Sequence, residues 1–322
     1  MKKLNLLVTR EIPNPLWNKL EEYYDIEINS RDEPLSRENL KKSIRNRDAL
    51  ISLLSDPLQA DVLAEADKLK IIAQYAAGYD NIDVEYASAK GIIVTNTPGV
   101  LTEATADTAW GLLIAVSRRL AEADHYVRSG LWEHGWGPKL LLGTDVYGKT
   151  LGIIGLGRIG LAVARRASGF NMRILYYNRK RRVDAERSLN LEYAELKTLL
   201  KEADFITLHT PLTEKTFHLI GESELRVMKR SAYIINTSRG KVIDEKALIR
   251  ALRENWISGA GLDVFSNEPI EKDNPLLKLK NVVLTPHVGS ASIEAREKMG
   301  ETVTVNLTSF ARGLKPPNAV NF

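Results

Sequence analysis

Three ionisable side chains of complementary type each follow an apolar run. Arg239 comes after Tyr233–Asn236 in Asn-Thr-Ser-Arg-Gly, Glu268 after Leu262–Val264 in Asp-Val-Phe-Ser-Asn-Glu-Pro, and His287 after Val282–Leu284 in Leu-Thr-Pro-His-Val-Gly. If those runs are parallel strands, all three residues lie beyond strand carboxyl ends, where open α/β sheets bind ligands. Hydride addition to a carbonyl leaves an oxygen that must take a proton, and His is the side chain suited to give one near neutral pH. A carboxylate beside it favours the charged imidazolium, which is the role expected of Glu268. Arg239 would hold a carboxylate on the substrate and steady the oxygen as negative charge grows there. Any one of the three alone would more often be a packing residue. Together they point to reduction of a carbonyl compound that carries a carboxylate.

A hydride carrier has its own signature. Lys149 to Gly160 reads KTLGIIGLGRIG, with Gly155, Gly157 and Gly160 in a G-x-G-x-x-G pattern between the apolar strand Leu151–Ile154 and the helical stretch Ile159–Ala167. The first glycine allows the sharp turn, the second lets backbone approach a pyrophosphate, and the third lets helix pack on strand. The helix start near Arg158 and Ile159 then turns free N–H groups toward the anion. With a strand before and a helix after, the motif reads as a dinucleotide site rather than a plain turn, and Leu156 belongs to it. The next strand, Arg173–Tyr177, runs into Asn178, Arg179, Lys180, Arg181 and Arg182. An acid that would hold a ribose 2′-hydroxyl is missing there, and Arg179 can instead grip a 2′-phosphate through paired bonds. NADP(H) is therefore the expected cofactor, with NAD(H) possible.

Other chemistries find no support. Cysteine is absent, which removes disulfides, a thiol nucleophile, thiolate zinc sites and iron–sulfur clusters. His125, His134, His209, His218 and His287 show no metal-ligand spacing, and no G-x-S-x-G elbow occurs. His125, His134 and His218 read as surface or packing residues, and so does His209 at the end of a strand.

The elements that must position these residues come as two series. Apolar runs at Leu4–Val8, Ile26–Ile28, Ala49–Leu53, Ile71–Tyr75 and Ile92–Val94 alternate with helical stretches such as Glu38–Ile44 and Asp61–Lys68. A long helix is expected from Leu101 to Ser129, with Trp110, Leu112, Leu113, Val116 and Leu120 on its apolar face. Gly130 to Gly148 has no period and reads as an arm. The second series, Leu151–Ile154, Arg173–Tyr177, Phe205–Leu208, Tyr233–Asn236, Gly259–Val264 and Val282–Leu284, has the rhythm of a six-stranded doubly wound sheet, with helices at Ile159–Ser168 and Glu245–Glu254. The class is α/β. At ~150 residues per domain, the 322 residues suggest two domains.

Lys+Arg 45 against Asp+Glu 41 leaves a net charge of +4, too even for a nucleic-acid binder by bulk charge. No apolar run approaches the roughly 18 residues of a membrane span. The opening run Leu4–Val8 is broken by Arg10 and Glu11 and lacks a cleavage site, so it reads as a strand rather than a signal peptide. A cytoplasmic protein is expected.

The chain resembles the D-isomer-specific 2-hydroxyacid dehydrogenases, and within them the glyoxylate/hydroxypyruvate reductases. The resemblance covers nearly the whole chain and rests on QYAAGYDNID (74–83), NTPGVLTEATADTAW (96–110), GKTLGIIGLGRIG (148–160), LHTPLT (208–213), INTSRGKVID (235–244), GLDVFSNEP (261–269) and LTPHVGSAS (284–292). It implies a Rossmann cofactor domain, 100–287, inserted into a flavodoxin-like substrate domain made of 1–99 and 288–322. It implies Arg239, Glu268 and His287 as the catalytic set. Backbone N–H groups of Ala76, Ala77 and Gly78 would bind the substrate carboxylate, and Leu54 would line the pocket. Thr105, Thr210, Pro211, Thr237, Ser238, Asp263, His287 and Gly289 would lie along the cofactor, with Asn178, Arg179 and Lys180 at its ribose phosphate. The arm, about 120–147, would join two copies in a homodimer.

The chain departs from its relatives at two places. It keeps Trp136 but has Leu140 where glyoxylate-reducing relatives often carry a second Trp, and it has Asn178 where Ser commonly precedes the phosphate-binding Arg. Glu268 stands where the related formate dehydrogenases carry Gln. With Phe322 as its last residue, the chain is expected to lack the regulatory domain of long phosphoglycerate dehydrogenases, although shorter forms exist. The implied reaction is reduction of glyoxylate to glycolate or hydroxypyruvate to D-glycerate. A D-3-phosphoglycerate or broad D-2-hydroxyacid dehydrogenase is the alternative, although residues 74–83 supply no cation for a phosphate. A cofactor-sensing, corepressor-like protein is a further one, separated from an enzyme by turnover.

Overall fold

The computed structural model describes residues 2–13 and 16–322. The chain divides into two compact units, Met1–Leu101 with Ala291–Phe322, and Thr102–Ser290. Each is built on its own wholly parallel sheet.

Unit 1 holds β1 (Leu4–Val8), β2 (Tyr24–Ile28), β3 (Ala49–Ser52), β4 (Ile71–Gln74) and β5 (Ile93–Thr95) in the order β2-β1-β3-β4-β5. Every residue of β3 and β4 is buried. That is the mark of a parallel sheet covered on both faces, and the reason these strands appear as mostly apolar runs. Leu40, Leu50, Val62, Ile72 and Val94 share one core cluster. The last helix, Ile293–Ala311, is capped by Ser292 and returns to this unit, where the Tyr24 hydroxyl donates to the Leu307 carbonyl at 2.7 Å. The helix expected over Asp61–Lys68 is only Ala60–Leu63. Beyond it the chain tightens, with Glu65 N–H bonding to Val62 and Ala66 N–H to Leu63, and turns toward β4.

Unit 2 holds β6 (Thr150–Ile154), β7 (Arg173–Tyr177), β8 (Leu191–Tyr193), β9 (Phe205–Leu208), β10 (Tyr233–Asn236), β11 (Gly259–Leu262) and β12 (Val282–Leu284). Their order is β12-β11-β10-β9-β6-β7-β8, so the sheet has seven strands, not six, the addition being the edge strand β8. Neighbouring residues feed opposite faces: Ile154, Ile206 and Ile234 pack in one core, and Ile153, Phe205 and Ile235 in the other.

The long helix expected from Leu101 to Ser129 is two helices, Thr102–Ser117 and Leu120–Arg128. The break comes from distant chain. Thr144 N–H donates to the Ser117 carbonyl at 2.8 Å, and Gly143 sits so close that a Cβ there would stand 2.5 Å from the same oxygen. Arg119 takes φ +55°, and its guanidinium grips Glu122 through two 2.8 Å bonds that start the second helix. Residues 131–149 contain neither helix nor strand. Among the described residues no helix is long and apolar enough to cross a membrane.

Candidate active site

β10, β11 and β12 are neighbours in register, with Asn236 opposite Leu262 and Leu262 opposite Leu284. Arg239, Glu268 and His287 therefore leave the same edge of one sheet. His287 Nδ1 lies 2.6 Å from Glu268 Oε2, and Glu268 Oε1 accepts the Phe265 N–H at 3.0 Å. Burial works to raise the Glu268 carboxyl. The hydrogen bond and charge of His287, the Phe265 N–H and the Arg239 charge outweigh it and hold the group below its ordinary value. With Glu268 a carboxylate, Nδ1 is the donor, and Nε2 meets no protein partner among the described residues.

His287 sits at φ +54°, a left-handed backbone uncommon for a side-chain-bearing residue. Asp263 holds it there. The Asp263 carbonyl accepts His287 N–H at 2.9 Å, while its fully buried carboxylate accepts Val288 and Gly289 N–H at 2.8 Å each and the Thr285 hydroxyl. Both Asp263 oxygens are thus committed to shaping the turn that carries His287. Arg239 is set by a second device. Asn236 accepts from Ser238 and donates to the Arg239 carbonyl, and Gly240 packs so tightly that a Cβ would fall 1.9 Å from the Phe265 carbonyl carbon. Only glycine lets the Arg239 turn lie on the loop leading to Glu268.

The order reverses beside β6, whose neighbours are β7 and β9, and the glycine loop lies there. Gly155 adopts φ +97°, and a Cβ on it would stand 2.7 Å from the His209 carbonyl oxygen, so the loops after β6 and β9 touch. A Cβ on Gly160 would fall 2.2 Å from the Gly155 oxygen, whereas one on Gly157 would meet nothing within 4 Å. The helix Arg158–Ala167 begins directly behind.

Three buried polar atoms lack hydrogen-bond partners at this edge: His209 Nδ1 and Thr210 Oγ1 after β9, and Thr237 Oγ1 after β10. Buried polar atoms without partners are rare in folded proteins and call for a ligand or water. Together with the open Gly157 backbone and the free helix start, they fit a dinucleotide. His209, read from sequence as a surface or packing residue, has its ring buried here with one ring nitrogen unpartnered. Burial pushes its pKa down to about 3, so the ring is neutral, with Nε2 2.9 Å from the Thr207 hydroxyl. Its position just after a strand at the order reversal was the available signal. Thr105 and Gly289 are also together: a Cβ on Gly289 would lie 3.4 Å from Thr105 Cγ2.

The basic turn divides in two. Arg181 pairs with Glu186 through 3.0 and 2.7 Å bonds, and Arg182 with Asp184 through 3.2 and 3.0 Å bonds. Arg179 and Lys180 are exposed, and their side chains have no ion pair among the described residues. Asn178 caps the turn, donating to the Lys180 carbonyl at 3.0 Å. In unit 1, Leu54 follows β3, and Ala76, Ala77 and Gly78 follow the adjacent β4, again at strand carboxyl ends.

Comparison with known proteins agrees with this geometry. The family model for the D-isomer specific 2-hydroxyacid dehydrogenase NAD binding domain matches residues 110–289. A glyoxylate reductase of Korarchaeum cryptofilum is 58% identical over 319 residues, 99% of this chain and 96% of the relative. Among solved structures, the TT0316 protein of Thermus thermophilus is 45% identical with a TM-score of 0.92, over 98% of this chain and 100% of that one. An NADPH-dependent glyoxylate/hydroxypyruvate reductase from Sinorhizobium meliloti, in complex with NADP and malonate, is 34% identical with a TM-score of 0.88, over 99% and 97%. A nicotinamide-type sheet, a His–Glu pair with an Arg at its edge, and full-length likeness lead to one conclusion: the chain belongs to the D-isomer specific 2-hydroxyacid dehydrogenase family.

Proposed function

We propose that this protein reduces small 2-ketoacids, glyoxylate to glycolate and hydroxypyruvate to D-glycerate, with NADPH preferred over NADH. The observation that carries the reading is the 2.6 Å His287–Glu268 pair at the strand edge that also bears the glycine loop. A reduced nicotinamide, when bound, supplies the hydride. His287 gives its Nε2 proton to the carbonyl oxygen as the carbonyl carbon becomes an alcohol carbon. Glu268 orients the ring by accepting from Nδ1. Arg239 holds the substrate carboxylate and offsets the charge growing on oxygen.

Unit 1 is assigned substrate recognition, through Leu54 and the Ala76–Ala77–Gly78 backbone, and unit 2 is assigned cofactor binding and proton transfer. Gly155, Leu156, Gly157, Arg158, Ile159 and Gly160 would seat the pyrophosphate. Thr210, Pro211, Thr237, Ser238, Thr105 and Gly289 would flank the rest of the dinucleotide, with Asp263 acting through the turn it shapes. Support for NADP comes from Arg179 and Lys180, which keep their charge available while Arg181 and Arg182 are neutralised by acids of their own chain. The relative from Sinorhizobium meliloti was solved with NADP. Exposed Val127, Leu131, Trp132, Trp136 and Leu142, gathered in one stretch of the chain, support a homodimer through the arm, because a second copy would cover them. The cytoplasm, where reduced nicotinamide is supplied, is the proposed location.

A panel of 2-ketoacids assayed with both reduced cofactors tests the reading. Glyoxylate and hydroxypyruvate should give the highest kcat/KM, and NADPH should exceed NADH. Absence of turnover with every 2-ketoacid would refute it. Fastest turnover of 3-phosphohydroxypyruvate would replace the substrate assignment.

A further inference from the structure

The loop after β4 is held by its carbonyls. Thr97 N–H donates to the Ala76 carbonyl at 2.9 Å, Asn96 Nδ2 to the Ala77 carbonyl at 2.7 Å, and Gln74 Nε2 to the Gly78 carbonyl at 3.4 Å. Three successive carbonyl oxygens thus bond to donors of unit 1. The N–H groups of Ala77 and Gly78 meet no protein acceptor among the described residues. In a trans peptide the C=O and the next N–H point opposite ways. Fixing the Ala76 and Ala77 oxygens therefore fixes the Ala77 and Gly78 N–H groups facing away from those donors. Two adjacent N–H groups match the two oxygens of a carboxylate.

The donors are themselves held. Gln74 is fully buried; its Oε1 accepts the Ser52 hydroxyl at 2.6 Å, and its Nε2 also donates to Asn81 Oδ1 at 2.8 Å. Asn81 Nδ2 in turn bonds the Leu53 and Asp56 carbonyls at 3.0 and 2.9 Å, tying the loop after β3 to the loop after β4. Asn96 is buried, its N–H bonded to the Asn318 carbonyl and its carbonyl bonded by Asn306 Nδ2, each at 3.3 Å. Asn306 Oδ1 accepts from Asn318 N–H and Nδ2 at 3.2 and 3.1 Å. The Gln74 amide cannot turn without breaking a buried network, and the Asn96 backbone is held on both sides.

We propose that Asn96 is a positioning residue: its side-chain amide on the Ala77 carbonyl, beside the Thr97 N–H on the Ala76 carbonyl, holds the two peptide planes that carry the Ala77 and Gly78 N–H groups, so that these present a seat for the substrate carboxylate. The inference rests on the reading of that loop as the carboxylate seat. It goes further in naming what orients the loop, and it ties the loop to the returning C-terminal segment through Asn306 and Asn318.

The test uses the full-length enzyme with saturating NADPH. Asn96→Ala removes the side-chain donor, and Asn96→Leu keeps its volume while removing the same donor. For each, the KM for glyoxylate should rise at least about tenfold, with kcat held within about threefold. Oxamate, a non-reacting carboxylate probe, should bind the enzyme–NADPH complex at least about tenfold more weakly by quenching of nicotinamide fluorescence, while NADPH affinity itself stays unchanged. Unaltered KM and oxamate affinity, or a fall in kcat alone, overturns the proposal. Should either variant fail to fold, the wild-type complex decides: oxamate should shift the Ala77 and Gly78 amide resonances, and unmoved resonances in an enzyme that reduces glyoxylate overturn it. A wild type that reduces no 2-ketoacid is a different result and defeats the proposed function instead.

Discussion

At the scale of single residues, the proposed proton transfer rests on the His287–Glu268 pair. Glu268 is held below its ordinary value, so its contribution to the folded pair is fully present above the ordinary carboxyl range and is lost only as pH falls through the lowered value. Acid should therefore leave the pair intact through mildly acidic pH. Glu268→Gln keeps the shape but removes the carboxylate that accepts from His287 Nδ1. Its kcat for glyoxylate should fall at least about tenfold with NADPH affinity unchanged, measured by steady-state kinetics; wild-type turnover would remove Glu268 from that role. Cofactor choice belongs to the same scale. Arg179→Asp should bring the NADPH-to-NADH ratio of kcat/KM down by at least about tenfold, because a carboxylate repels a 2′-phosphate and suits a 2′-hydroxyl. The residue types after β10, β11 and β12 were legible in sequence. The hydrogen-bond duties of Asp263 and the unpartnered nitrogen of His209 were not, since both depend on atoms from other segments.

At the scale of elements, close backbone packing places the chemistry. Gly240 holds the Arg239 turn against Phe265 with no room for a methyl group. Gly240→Ala should cost roughly 1–3 kcal/mol of stability, as overpacking does. It should also lower kcat/KM for glyoxylate well beyond what that loss of stability explains, read by thermal unfolding alongside steady-state kinetics. Near wild-type activity would mean that the Arg239 turn tolerates displacement. Central strands such as β3, β4, β9 and β10 were legible because burial on both faces writes a mostly apolar run, broken in each by one buried polar residue. β8 was not, since its three residues, Leu-Glu-Tyr, bury only Leu191 and offer no pattern to read. The helix break at Arg119 was illegible for another reason. Neither Gly nor Pro marks it, and the cause, Gly143 and Thr144 packing on the Ser117 carbonyl, lies far along the chain.

At the scale of the whole molecule, the arm with its exposed Trp132 and Trp136 leads to two expectations. Trp136 is 83% exposed, a large cost for an aromatic ring unless a second copy covers it. Sedimentation should give twice the chain mass of 36.0 kDa, and Trp136→Glu should raise the dimer dissociation constant by at least about tenfold; a monomeric wild type would leave the arm without this role. Two α/β units were legible from two series of strand-like runs, whereas the arm showed itself only as the stretch where periodicity stops. The proposed reduction stands or falls with the proton that His287 delivers to the carbonyl oxygen. His287→Ala in the full-length enzyme, with kcat for glyoxylate and NADPH affinity measured on the same preparation, decides it. Its kcat should be about 10²–10⁴-fold lower with cofactor affinity unchanged; turnover at the wild-type rate would mean that the proton comes from elsewhere.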